Sequence, residues 1–233
     1  MTTTSSSTTS AADPARPVPA RDCGLCPRLQ DFRTANRAAQ PGWFNAPVPA
    51  FGGATARLVV IGLAPGLRGA NRTGRPFTGD FAGDVLYPAL ARHGFARGRY
   101  GADPADGFEL VDCRIANAVR CVPPANKPTP AEIATCRRFL APELTGDGAP
   151  RAMLALGRIA HDSALRCLGL RAAAHPFAHG AWHRLADGRI LAASFHTSRY
   201  NVNTGRLTVA MFDAVVARLA AALGQDAPAE LSV

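Results

Sequence analysis

The chain has 233 residues, enough for one substantial domain or two small ones, and its 47% hydrophobic share is that of a globular protein. A formal net charge of +9 favours a polyanionic partner or an acidic substrate. No run approaches the roughly 20 apolar residues that a membrane-crossing helix needs, and the Ser/Thr/Ala/Pro-rich start lacks the basic and apolar blocks of a secretory signal. The expectation is a cytoplasmic monomer with a disordered tail over 1–20, one folded domain over 21–225 and a short tail over 226–233.

In chain order, the first feature is the loop-like segment 22-DCGLCPR-28, which carries a C-x2-C pair at Cys23 and Cys26. The apolar run 57-RLVVIG-62 reads as a buried strand. It leads into 62-GLAPGLRGANRTGRPFTGD-80, which holds five glycines and three arginines. Residues 81–93 read as a helix ended by Gly94. A second apolar run, 108-FELVDC-113, is followed by the loop 117-NAVRCVPPANKPTP-130. The helix over 130–141 is the best marked, with Thr129 and Glu132 forming a capping box around Pro130. Next come the apolar run 152-AMLALG-157 and a helix over 158–168. Asp187-Gly188 separates 181-AWHRLA-186 from 189-RILAASF-195, a hairpin signal that gives the last strand an antiparallel partner. The run 190-ILAASF-195 is the fourth strand. The loop 196-HTSRYNVNTGRLT-208 runs into a helix over 206–223, with Met211, Val215 and Leu219 on one face. Short apolar runs alternating with helices predict an α/β fold with a mostly parallel sheet. Such sheets bind ligands outside the carboxyl ends of their strands, where the three unusual loops lie.

Six cysteines in such a chain point to metal or redox chemistry rather than a disulfide scaffold. Cys23, Cys26, Cys121 and Cys136 supply four thiolates, enough for zinc or an iron–sulfur cluster. The spread of the second pair favours a [4Fe–4S] cluster of structural role, and Cys113 and Cys167 read as core residues. His175, His179 and His183 share helical spacing, but Pro176 and Gly180 break any helix that would align them as a second metal site.

The glycine-rich loop is neither a Walker loop, since Gly74-Arg75-Pro76 stands where Gly-Lys-Ser/Thr is needed, nor a dinucleotide fingerprint. The order of the three loops, with the C-x2-C pair ahead of them, resembles the uracil-DNA glycosylase superfamily. Within it, the chain is similar to the fifth family (type b) of the iron–sulfur branch, over nearly everything from Cys23 to Leu219. The resemblance implies a three-layer α/β/α sandwich around a four-stranded, mostly parallel sheet, with a [4Fe–4S] cluster. It implies N-glycosidic hydrolysis of uracil, and of other deaminated bases such as hypoxanthine, in DNA. A non-catalytic iron–sulfur DNA-binding relative is the alternative, and a zinc-stapled nucleotide-binding module is a second.

On that resemblance, Gly62, Ala64, Phe77 and Asn117 line a pocket for a flipped base, with Phe77 as the stacking platform and Asn117 reading the base edge. His196 is the donor to the departing base. Ala64 stands where many relatives carry Asp or Asn. That leaves Asp80 as the carboxylate for the water, with a helix cap as its competing role. Arg72, Arg75, Ser198, Asn201, Thr204 and Arg206 are expected to hold DNA backbone, and Arg199 and Tyr200 to occupy the wedge region. Lys127 is the only lysine and lies in the proline-rich loop, so no Schiff-base lyase step is expected.

Overall fold

The computed structural model describes residues 16–225, so residues 1–15 of the tail expected over 1–20, and the tail expected over 226–233, lie outside the described residues. At the start of the described residues, Arg16 pairs with the buried Glu143 at 2.9 Å. In chain order the elements are α1 (Pro27–Ala39), β1 (Phe51–Gly52), β2 (Leu58–Gly62), α2 (Ala70–Thr73), α3 (Phe81–Arg92), β3 (Ala96–Arg97), β4 (Glu109–Leu110) and β5 (Cys113–Asn117). They continue with α4 (Pro130–Leu144), β6 (Ala152–Leu156), α5 (Arg158–Cys167), β7 (Trp182–Arg184), β8 (Ile190–Ser194), α6 (Arg199–Asn203) and α7 (Val209–Leu223).

The main sheet has six strands in the order β1-β5-β2-β6-β8-β7, not the four expected. The inner four are parallel, and an antiparallel strand has been added at each edge. The β7 addition follows from the Asp187-Gly188 turn, in which Gly188 takes φ +83° and Leu185 N–H donates to Arg189 O at 2.8 Å. The β1 addition is only Phe51 and Gly52, too short to leave a period in the sequence.

The second parallel strand also departs from expectation. It runs over Cys113–Asn117, whereas the apolar run 108–113 supplies β4 of a separate two-stranded sheet and a turn at Asp112, φ +50°. Arg114 inside β5 disguises that strand in the sequence. Its guanidinium is neutralised by Glu143 at 2.7 Å and donates to Gly52 O at 2.5 Å.

Every residue of β2, β6 and β8 is buried, as strands covered on both faces require. Alternation then divides them between two cores. Leu58 and Val60 face α3 and α7 with Leu86, Leu90, Phe212, Val216 and Leu219. Val59 and Ile61 face α4 and α5 with Leu140, Leu144, Ala160 and Leu165. The sandwich is therefore three-layered, helices on both faces of the sheet.

Capping sets the helix bounds. Thr129 and Glu132 form the full capping box of α4, which continues past Pro142 to Leu144. Thr208 accepts from Met211 N–H, so α7 begins at Val209 rather than 206. At the amino end of β2, Arg57 pairs with Asp112 and donates to Leu223 O at 2.6 Å and Gln225 Oε1 at 3.1 Å. That latches the end of α7 beneath the sheet.

Candidate active site

The carboxyl ends of β2, β5 and β8 release three loops into one cleft of about 590 Å³, lined by Ala64, Phe77, Asp80, Asn117, His196 and Ser198 among others. The volume lies in the range of small-ligand sites. Parallel pairing sets Gly62 directly beside Asn117. A Cβ at Gly62 would collide with Asn117 Oδ1 and lie 2.7 Å from Phe77 Cζ. Glycine there is what allows the amide and the ring to meet. Asn117 is buried, and its Oδ1 has no hydrogen-bond partner among the described residues. A buried acceptor left unpaired is costly, on the order of 1–3 kcal/mol, and this one faces a cavity.

Phe77 is held at φ +53°, in the left-handed region that disfavours a side chain. Its ring stacks against His196 at 5.9 Å between centroids and 26° between planes. Burial lowers the pKa of His196 to about 4, so at neutral pH it is an uncharged imidazole with one N–H to give. Its position is fixed from both sides. Thr197 Oγ1 donates to Ala82 O at 3.2 Å, and Asn201 Nδ2 donates to His196 O at 2.8 Å.

Asp80 caps a helix and lines the cleft at once. Oδ1 caps α3 by accepting from Ala82 N–H at 3.2 Å, while the carboxylate lines the cleft. Gly66 and Gly69 make room for it, since a Cβ on Gly69 would lie 2.9 Å from Asp80 Cγ. Burial raises its pKa above the ordinary carboxylate value, opposed by the backbone N–H groups of Gly83 and Ala82.

Two residues expected on the DNA are engaged elsewhere. Arg75 is buried, gripping Asp106 through both terminal nitrogens at 2.8 Å and standing over Phe51, Tyr87 and Tyr100. It braces the loop and has no free face for a phosphate. Asn201 spends its amide on His196 O and so orders the histidine loop. The rest stay at the surface around the cleft. Arg72 is exposed, Ser198 caps α6, Thr204 Oγ1 turns back to Tyr200 O, and Arg199 lies over Phe81 at 5.4 Å. Tyr200 is 72% exposed.

The sequence reading missed Asn126, which lines the cleft from the proline-rich loop at φ +56°, a conformation Asn tolerates. It also missed Arg158, the first residue of α5. Arg158 covers Phe177 at 5.2 Å in an adjoining groove of about 540 Å³, where Arg206 covers Phe195 at 4.4 Å. His183 packs between His161 and His175, while His179 turns to Ser194 Oγ at 3.2 Å.

Cys23, Cys26, Cys121 and Cys136 are brought together around a cavity of about 20 Å³. Arg33 Nη1 donates to Cys121 Sγ and the Arg120 N–H to Cys136 Sγ, both at 3.3 Å. Burial pushes Cys121 and Cys136 up to about 11 and raises Cys26 as well. Among the described residues, no three His, Cys, Asp or Glu side chains converge as ligands of one metal ion. Ala64 packs against this cysteine cluster from the cleft side.

The fold is a three-layer α/β sandwich with its cleft at the carboxyl ends of the strands, and the model of the uracil DNA glycosylase superfamily matches residues 49–220. The chain belongs to that superfamily. It is 48% identical over 196 residues to a type-5 uracil-DNA glycosylase of Thermus thermophilus, spanning 82% of this chain and 89% of the relative. A type-5 enzyme of Mycobacterium tuberculosis is 45% identical over 201 residues, with 82% and 74% covered. One of Pyrobaculum aerophilum is 41% identical over 207 residues, with 87% and 90% covered. Among the described residues no helix is long and apolar enough to cross a membrane.

Proposed function

We propose that the protein is a monofunctional uracil-DNA glycosylase of base excision repair, acting as a cytoplasmic monomer. The observation that carries this reading is the unpartnered Oδ1 of Asn117, buried in a cleft beside Phe77 and His196. An acceptor there suits the ring N–H of uracil, and the amide Nδ2 suits a neighbouring carbonyl.

In this mechanism the base leaves the duplex, at a cost of a few kcal/mol, and lies on Phe77. One base–aromatic stack returns about 1–3 kcal/mol. As the glycosidic bond breaks, negative charge grows on the base, and neutral His196 donates to its oxygen without having to shed a proton first. Asp80 orients the attacking water and takes its proton, help worth roughly 10²–10⁴-fold. Arg72, Arg199, Arg206 and Arg158 hold the strand, Ser198 offers its hydroxyl to it, and Tyr200 fills the space the base leaves. The cleft's size supports acceptance of a bicyclic base such as hypoxanthine. No lysine amine stands among the cleft-lining residues, which supports hydrolysis without strand cleavage.

The four cysteines fit a [4Fe–4S] cluster. Cys121 and Cys136 are buried and Cys23 and Cys26 half-buried around one cavity, and two of the four already accept N–H donors at sulfur, as cluster sulfurs do. When bound, the cluster would staple the segment before α1 to the loop after β5 and to α4.

The test is a duplex with one uracil opposite guanine, incubated with purified protein and then treated with alkali. Strand cleavage only after alkali is expected. No product from folded, brown protein on uracil or hypoxanthine would leave a DNA-binding relative without chemistry.

A further inference from the structure

Tyr100 lies on the connection between β3 and β4, outside the lining of the cleft, yet its hydroxyl grips the loop that carries Phe77. It donates to Phe77 O at 3.2 Å and accepts from Gly79 N–H at 3.3 Å. Its ring is set by Tyr87 at 4.6 Å and Phe108 at 5.9 Å. The turn that presents it is closed by Asp106, which accepts from Gly101 N–H at 2.8 Å and Phe108 N–H at 2.9 Å while holding Arg75. Arg75 in turn donates to Thr78 Oγ1 at 2.7 Å, and Tyr87 donates to Pro76 O. From Pro76 to Gly79, side chains from elsewhere hold the backbone or its hydroxyl at each residue. Gly83 completes the enclosure, since a Cβ there would collide with Phe77 O and lie 2.6 Å from the Tyr100 hydroxyl.

That enclosure matters because Phe77 has a conformation it would not keep alone. A non-glycine residue at φ +53° persists only where its surroundings over-determine it, and such strain gathers at sites that must be pre-organised. The carbonyl fixed by Tyr100 belongs to Phe77 itself, so rotating that peptide would swing the ring away from His196 and the base. Ring packing alone keeps Tyr100 in place but says nothing about the direction of that carbonyl. The hydroxyl does.

We propose that Tyr100 is a positioning residue for base excision, its hydroxyl setting the face that Phe77 turns to the flipped base. This rests on the functional reading above. Burial raises the Tyr100 pKa, so the hydroxyl remains a donor at neutral pH.

The test is Tyr100→Phe, which keeps the ring and deletes the two hydrogen bonds. With enzyme in excess, excision from the uracil duplex is expected to slow about tenfold or more, with little change in duplex affinity or melting temperature. Combined with Phe77→Leu, which leaves no ring to aim, Tyr100→Phe should add almost no further loss. A full wild-type rate for Tyr100→Phe, or losses that multiply in the double variant, would overturn the proposal. Should Tyr100→Phe fail to fold, Asp106→Asn loosens the same turn and is expected to show the same coupling. Base flipping is also read without chemistry, from 2-aminopurine beside a non-cleavable 2′-fluoro-deoxyuridine. Wild type that flips the base without excising it would fail the functional reading alone, and a smaller fluorescence rise in Tyr100→Phe would still support the positioning role. No flipping by wild type would overturn both.

Discussion

Gly62→Ala adds one methyl group and should nearly abolish excision. Gly62 ends β2, pairs in register with Asn117 and accepts from Ala118 N–H at 2.9 Å, so its backbone cannot retreat. The new methyl would lie 2.7 and 2.8 Å from Phe77 Cζ and Cε2, where ordinary contact begins at 3.4 Å, and would press harder still on Asn117 Oδ1. Both side chains must therefore move by several tenths of an ångström or more, each away from the base. A displacement of about 1 Å at a reacting centre costs roughly 10²-fold in rate. Overpacking of this size costs about 1–3 kcal/mol of stability, which a domain of this length survives. Single-turnover excision on a uracil duplex and a thermal melt measure the two effects separately. Gly53→Ala is the control, because its added Cβ meets nothing within 4 Å. A Gly62→Ala enzyme that excises as fast as Gly53→Ala would refute the placement of Phe77 and Asn117 around one base.

Asp80→Asn separates the carboxylate's two roles. Asparagine caps a helix about as well, and removing a half-buried charge should leave the melting temperature unchanged or higher, while excision falls by about 10²–10⁴-fold. Retained activity would leave Asp80 as a cap only. His196 binds its proton less readily folded than unfolded, since its pKa falls from 6.5 to about 4. The unfolded chain then takes up the proton first, so stability is complete above pH ~6.5 and declines as pH falls toward ~4. His196→Gln should flatten melting temperature against pH in that window, and an unchanged slope would count against an imidazole held neutral by the fold. Cys136→Ser should abolish the visible absorbance and lower the bound iron and sulfide. Unchanged iron content would remove Cys136 from the ligand set.

The parts of the fold legible in the sequence were those with a local cause. Val59 to Ile61 and Met153 to Leu156 are unbroken apolar runs, and Thr129 with Glu132 wrote the start of α4 into four residues. The Asp187-Gly188 turn announced β7. Elements whose cause lies far along the chain were hidden. β5 contains Arg114, which is acceptable in a buried strand because Glu143 and Gly52 O come to meet it. The buried face of α1 holds Leu29 and Arg33, the latter spent on Cys23 O and Cys121 Sγ, so it has little apolar period to read. The same distinction divides the site. Phe77, Asp80, Asn117 and His196 stand at loop positions that the three motifs mark, and the fold gathers them in one cleft. Arg75 sits in the same glycine-rich loop as Arg72, and nothing local distinguishes them. Only Asp106, 31 residues on, turns Arg75 inward.

The Arg57 latch has a practical corollary for building with this protein. It ties the end of α7 to the amino end of β2, whereas the cleft opens at that strand's other end. Five residues at about 3.3 Å each separate the two, roughly 16 Å of rigid ladder. A partner domain joined after Gln225 would therefore emerge from the side opposite the DNA-facing loops. Appending a recruitment module there should leave the mouth of the cleft unobstructed.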